Sequence, residues 1–149
     1  LIFLGSIAAA TADTWATEIG FFSRSNQRKI STFKQVEKGT SGGVTLIGTF
    51  GSFLGAGVIA GVGLLLGVDP ELFWIITAAG FIGSIADSIL GGTVQARFYC
   101  KSCEKETEKR RHCSGVTQHV NGFKWMDNDM VNFLNTITGA VVTYFSVLI

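Results

Sequence analysis

Proline occurs once in the 149 residues, charged residues make up 15%, and Lys and Arg are missing altogether from residues 1–23, 39–96 and 125–149. Soluble domains carry about 25% charged residues and spread both signs over their surface. The scarcity and the gaps together exclude an ordinary water-facing domain. Cysteine is scarce too. Cys100, Cys103 and Cys113 all fall in one segment. Placed in a cytosolic loop, as argued below, they exclude structural disulfides. The net charge of +1 decides little; the placement of the charges decides more.

What is present is mostly apolar. Hydrophobic residues make up 47%, and there are 19 Gly. Gly is common in membrane helices, where it lets backbones approach closely. Four apolar runs stand out: residue 1 to about Phe22, then 44–68, 72–96 and 131–149. A helix crosses the bilayer core with about 20 residues. Each run is expected to span, the first once a missing start is restored. The chain begins Leu-Ile-Phe-Leu, already inside that run. We therefore expect residues 1–149 to form a single integral membrane domain, a C-terminal fragment of a longer protein. The expected fold class is all-α, a polytopic transmembrane helical bundle with about four spanning helices and two long loops.

Charge sets the expected orientation. Every basic residue lies in Arg24–Lys38 or Arg97–Lys124, the two long loops, whereas the second and third runs are joined by the short acidic turn Asp69-Pro70-Glu71. The positive-inside rule puts both long loops in the cytosol. Alternating spans require the two loops to share a side, and the pattern meets that requirement. Residues 97–126 then form a cytosolic loop containing Cys and His. The pairs Gly51/Gly55, Gly57/Gly61 and Gly63/Gly67 on the second run are expected to pack helices.

Ionisable residues inside spanning helices are costly and usually functional. Asp13, Glu18 and Asp87 are of this kind. Asp13 and Glu18 point about 140° apart at 3.6 residues per turn, so one wide polar face could hold both. Interfacial solvation explains Glu18 better than Asp13. The second run opens with Lys38-Gly39-Thr40-Ser41-Gly42-Gly43. A helix N-terminus favours an anion, glycines admit a phosphate closely, and Lys38, Thr40 and Ser41 add donors. A flexible, capped loop is the competing reading. On the third run Ser84, Asp87, Ser88, Gly91 and Gln95 recur at helical spacing. That stripe needs protein or water beside it rather than lipid. Asp127 or Asp129 can cap the fourth helix, and Asn128, Asn132, Asn135 and Gly139 share a face. Carboxylates from several segments beside a phosphate-friendly helix start suggest a magnesium–phosphate site. Magnesium takes a few carboxylates, waters and phosphate oxygens, and Asp13, Asp87 and Asp127 are the expected ligands.

A second metal is expected in the 97–126 loop. Cys100-x2-Cys103 is followed by His112-Cys113 and by His119. Three thiols and one imidazole match the four ligands of a structural zinc. His112 is taken as the fourth ligand, with His119 as the alternative. Free cytosolic thiols are the competing reading.

Four stretches, in order, resemble one known family. They are Ala12-Asp13-Thr14-Trp15-Ala16-Thr17-Glu18-Ile19-Gly20, Gly39-Thr40-Ser41-Gly42-Gly43-Val44-Thr45, Gly83-Ser84-Ile85-Ala86-Asp87-Ser88-Ile89-Leu90-Gly91 with Gln95, and Asp127-Asn128-Asp129-Met130-Val131-Asn132. The family is the integral membrane group of domain of unknown function ninety-two. It includes animal transmembrane protein nineteen and plant and cyanobacterial phytyl phosphate kinases. Asp13, Ala16, Gly20 and Gly39-Thr40 are also similar to a pattern in phytol and dolichol kinases. The cysteine cluster departs from the animal members and resembles an insertion in prokaryotic ones, so it is not assigned to the chemistry.

The resemblance implies a CTP-dependent kinase that converts a prenyl monophosphate to the diphosphate at the cytosolic side of the membrane. Asp13, Glu18, Asp87 and Asp127 or Asp129 are assigned to magnesium and phosphate geometry. Lys38, Gly39, Thr40, Ser41, Gly42 and Gly43 are assigned to the nucleotide phosphates, and Asn128 and Asn132 to positioning substrate or metal. The expected partners are a nucleoside triphosphate, an isoprenoid phosphate lipid, the membrane and a further copy of the chain; nucleic acid is not among them. Two other readings stay open. One is a transporter or lipid-handling protein, with Asp87 roughly midway along its run, where transporters place their sites. A helix break at Gly91-Gly92 would instead bring Asp87 near the loop end. The other is a cytidylyltransferase releasing pyrophosphate.

Overall fold

The computed structural model describes residues 1–23 and 25–148. Four helices dominate: α1 (Ile2–Phe21), α2 (Leu46–Leu65), α3 (Phe73–Thr93) and α4 (Asn128–Leu148). Each has 20 or 21 residues, or about 30 Å at 1.5 Å per residue, the thickness of a bilayer core. Among the described residues, α2, α3 with its leading turn, and α4 are long and apolar enough to cross a membrane. α1 matches them in length and carries the two acids of its run, Asp13 and Glu18. The fold is the helical membrane bundle that the four apolar runs implied. α1 and α3 each pack against all three other helices, and α2 and α4 flank that central pair.

The bundle is built with small residues inside. Ala8, Ala9, Ala12, Ala56, Ala60 and Ala79 are fully buried, whereas Leu46, Leu65, Leu66, Trp74, Phe133 and Phe145 are exposed. A water-soluble domain instead buries its large apolar side chains. With hydrocarbon outside, large apolar side chains gain nothing by turning inward, and close backbone approach holds the helices instead. A Cβ on Gly80 would lie 2.8 Å from the Cβ atoms of both Ala8 and Ala56. One on Gly51 would meet Ile19, and one on Gly55 would meet Trp15. Three of the glycines expected to pack helices do not do so. Gly57, Gly61 and Gly67 have nothing within 4 Å among the described residues; Gly57 and Gly61 lie on the face of α2 turned away from α1, and Gly67 lies beyond the helix end.

The helix ends follow local chemistry. Thr45 caps α2, its hydroxyl accepting from Gly48 N–H at 3.0 Å. α2 ends where Gly67 takes a positive φ of 86°, and Val68 N–H then bonds back to Gly63 C=O at 3.0 Å, as a left-handed C-terminal glycine permits. Pro70–Leu72 forms one tight 3-10 turn, with Asp69 accepting from Glu71 N–H. That turn reverses the chain and sets α2 and α3 antiparallel.

The loops are more ordered than the sequence suggested. Between α1 and α2, β1 (Gln27–Lys29) pairs antiparallel with both β2 (Gln35–Val36) and β3 (Gly43–Val44). Between α3 and α4, β4 (Arg97–Cys100) lies between β5 (Lys105–Thr107) and β8 (Gln118–Asn121). A small hairpin of β6 (Arg111–His112) and β7 (Gly115–Val116) sits beside them. Strands of two to four residues offer too few positions to display a period, so their sequence carries no strand signal.

Candidate functional site

The C-terminal ends of α1 and α3 meet the N-terminal ends of α2 and α4 at the loop end of the bundle. A cavity of about 350 Å³ opens there, within the range of small-molecule sites. Its floor is helical: Asp13 and Thr17 from α1, Ser52 from α2, and Ser84, Asp87 and Ser88 from α3. Its wall is Gly39–Gly43, and Asn128 and Asn132 reach it from α4. Phe81 and Ile85 add an apolar side.

The glycine segment is shaped by the three-stranded sheet below it. Lys29 pairs with Gly43, and Ile30 N–H bonds to Gly42 C=O at 2.9 Å. Gly42 has a φ of 71° and lies directly on Gly92 and the Ser88 carbonyl, leaving no room for a Cβ. Gly39, Thr40 and Gly43 spend their N–H groups on Gln27 Oε1, Glu37 C=O and Thr40 C=O. Among the described residues this leaves the N–H groups of Ser41 and Gly42 as the segment's uncommitted backbone donors.

Two carboxylates, Asp13 and Asp87, line the cavity floor. Asp87 sits within reach of the negative charges of both Asp13 and Glu108, and Ser84 lies beside Asp13. Asp87 Oδ2 is buried with no hydrogen-bond partner among the described residues. A buried oxygen of this kind normally has a partner, and hard oxygen donors facing a phosphate-sized cavity fit magnesium. α3 continues unbroken through Gly91 and Gly92 to Thr93. Asp87 still lies only about 9 Å from the helix end, at 1.5 Å per residue.

Other residues singled out in the sequence lie elsewhere. Glu18 is exposed and outside the cavity lining. Lys38 turns back to α1, its Nζ donating to the carbonyls of Ser23 at 2.6 Å and Phe21 at 3.3 Å. Asp127 caps α4, accepting from Met130 N–H at 3.1 Å. Neither Asp127 nor Asp129 lines the cavity. Asn135 is buried against α1, donating to the Ala9 carbonyl. Conversely, sequence reasoning missed Glu108, which accepts a hydrogen bond from Ser41 Oγ at the cavity wall. Glu108 sits in a run of charged loop residues, and nothing in its local sequence sets it apart.

The thiols of the 97–126 loop form a second cluster. One ligand atom from each of Cys100, Cys103, His112 and Cys113 lies within 4.8 Å of the other three. His119 stands apart, edge-on to Phe98 at 5.5 Å. The thiols differ in acidity. The hydrogen bond with His112 holds Cys100 down at about 6, and the neighbouring Cys103 sulfur pushes Cys113 up to about 11.

Comparison with known proteins places the chain. It is 34% identical to the uncharacterized membrane protein MJ0933 of Methanocaldococcus jannaschii, over 94% of this chain and 48% of that protein. It is 33% identical to Protein PGR of Arabidopsis thaliana, covering 94% of this chain and 52% of that one. Protein VTE6, chloroplastic, of the same plant is 30% identical over 94% of this chain and 35% of its own length. The chain thus spans about half, or less, of the length of these relatives. No solved structure matches it. The model of the family described as integral membrane protein DUF92 matches residues 1–140, and the chain belongs to that family.

Proposed function

We propose that this protein transfers the terminal phosphoryl group of CTP to a phytyl-like isoprenoid monophosphate in the membrane, giving the diphosphate and CDP. The observation that carries the reading is the convergence of Asp13, Asp87 and the Gly39–Gly43 segment on one cavity at the loop end of the bundle. Membership of a family that resembles phytyl phosphate kinases supports it.

In this reading an oxygen of the lipid phosphate attacks the terminal phosphorus of the nucleotide. A new P–O bond forms, the bond to the bridging oxygen breaks, and CDP leaves with the electron pair. Phosphoryl transfer needs positioning and charge neutralisation more than covalent help. The lipid phosphate is already an anionic nucleophile, so no general base is required. Asp13 and Asp87 would hold magnesium, which neutralises phosphate charge when bound. The Ser41 and Gly42 N–H groups donate to the nucleotide phosphates. Phe81 and Ile85 offer an apolar side to the first prenyl units. Asn128 and Asn132 position the acceptor phosphate. Asp127 contributes by starting α4, and so by placing those two asparagines.

The test is made on the full-length protein in detergent with magnesium, CTP labelled at its terminal phosphate, and phytyl, geranylgeranyl or farnesyl monophosphate. Label in a prenyl diphosphate is the expected result. No transfer from any of the four common nucleotides, with the protein folded, would overturn the reading and favour transport.

A further inference from the structure

We propose that Cys100, Cys103, His112 and Cys113 bind one zinc ion, and that this ion holds the segment carrying Glu108, between β5 and β6, against Ser41, closing one wall of the cavity.

The geometry is close to that of a loaded site. A tetrahedral zinc with Zn–S of about 2.3 Å and Zn–N of about 2.05 Å has S···N edges of about 3.6 Å. His112 Nδ1 lies 3.5 Å from Cys103 Sγ and 3.3 Å from Cys113 Sγ. The backbone is bent to suit. Glu104, Cys113 and Ser114 all have positive φ, at 54°, 49° and 61°, a conformation that non-glycine residues adopt only when their surroundings hold them there. No disulfide links these thiols.

The cluster also ties the chain around Glu108 in place. Cys103 and His112 bracket that segment in sequence. Thr107 Oγ1 accepts from Lys109 N–H, Thr117 donates to the Lys109 and Arg110 carbonyls, and Arg111 pairs with Val116. This segment has no apolar core of its own: Glu108, Lys109, Arg110 and Arg111 are all exposed. A small unit without a core folds around metal instead. From it Glu108 reaches across to Ser41.

The zinc content of full-length protein, purified without chelator, tests the first half independently of any transferase activity. One zinc per chain is expected, lost in Cys103→Ser and kept in His112→Cys, which preserves four ligands. Replacement by cobalt should give thiolate charge-transfer absorption. Zinc well below one per chain, or unchanged in Cys103→Ser, would overturn the site. Hydrogen exchange tests the second half. Stripping zinc with a chelator should speed exchange at Thr40 and Gly43, whose N–H groups are hydrogen-bonded, at least about tenfold, a local opening, and Glu108→Ala should do the same with zinc retained. Unchanged exchange at these two amides in either experiment would overturn the link to the cavity. Failure of CTP turnover alone would leave both measurements standing.

Discussion

Asp87 places a buried carboxylate oxygen where no protein group among the described residues satisfies it. Leaving such a group unpaired costs about 1–3 kcal/mol, which the fold recovers only if a ligand arrives. Asp87→Asn keeps the shape and removes the charge. We expect it to lower phosphoryl transfer at least about a hundredfold, as when an electrostatic group aimed at the reaction is lost. The detergent-extracted variant should elute as the folded protein does; wild-type turnover would remove Asp87 from the site. Asp127 differs although it too is an acid of a motif. Its oxygen caps α4, so Asp127→Ala should cost about 1 kcal/mol of stability, visible as a lower melting temperature. Asp127→Ser should restore most of it, and turnover of the folded fraction should stay near wild type. Sequence singled out Asp87 as an acid inside a spanning run, and Asp127 both as a cap of the fourth helix and as a metal ligand. It could not choose between those two roles for Asp127, because a capping role depends on the geometry of the turn that follows.

The helices illustrate how one pattern carries two outcomes. Small residues recur along α2, and the faces toward α1 and α3 use them; Gly57 and Gly61 face away. At Gly80 the approach is close on both sides, since an added Cβ would stand 2.8 Å from Ala8 and from Ala56. Gly80→Val should therefore destabilise the bundle by about 1–3 kcal/mol, as overpacking does. Thermal unfolding in detergent is the check, and unchanged stability would mean that the helices pack less closely here. Helix existence was legible, since runs of about 20 apolar residues demand internally bonded backbone in lipid. The small sheet that shapes Gly39–Gly43 was not. Its two- and three-residue strands are held by pairing with one another across the α1–α2 loop, and their own sequence carries no signal of it.

At the scale of the whole molecule, both long loops and the cavity lie at one end of the bundle, and the acidic Asp69–Glu71 turn lies at the other. The basic loops should face the cytosol. A reporter inserted after Glu71 should report the outer side, and one inserted after Lys109 the cytosolic side. The reverse pattern would place the cavity away from cytosolic nucleotide and sink the kinase reading. Length, apolarity and the sign of loop charge determined by themselves that the chain is a membrane helical bundle with alternating spans. Those constraints act along one dimension, because the bilayer tests each segment separately. Only the tertiary structure decided which polar residues share a cavity. Asp13 and Asp87 meet there because Ala and Gly bring α1 and α3 together, while Glu18 and Lys38 turn elsewhere and Glu108 arrives from a remote loop. Such meetings depend on how helix faces pack and where loops fold back, which are contacts between segments far apart in the chain.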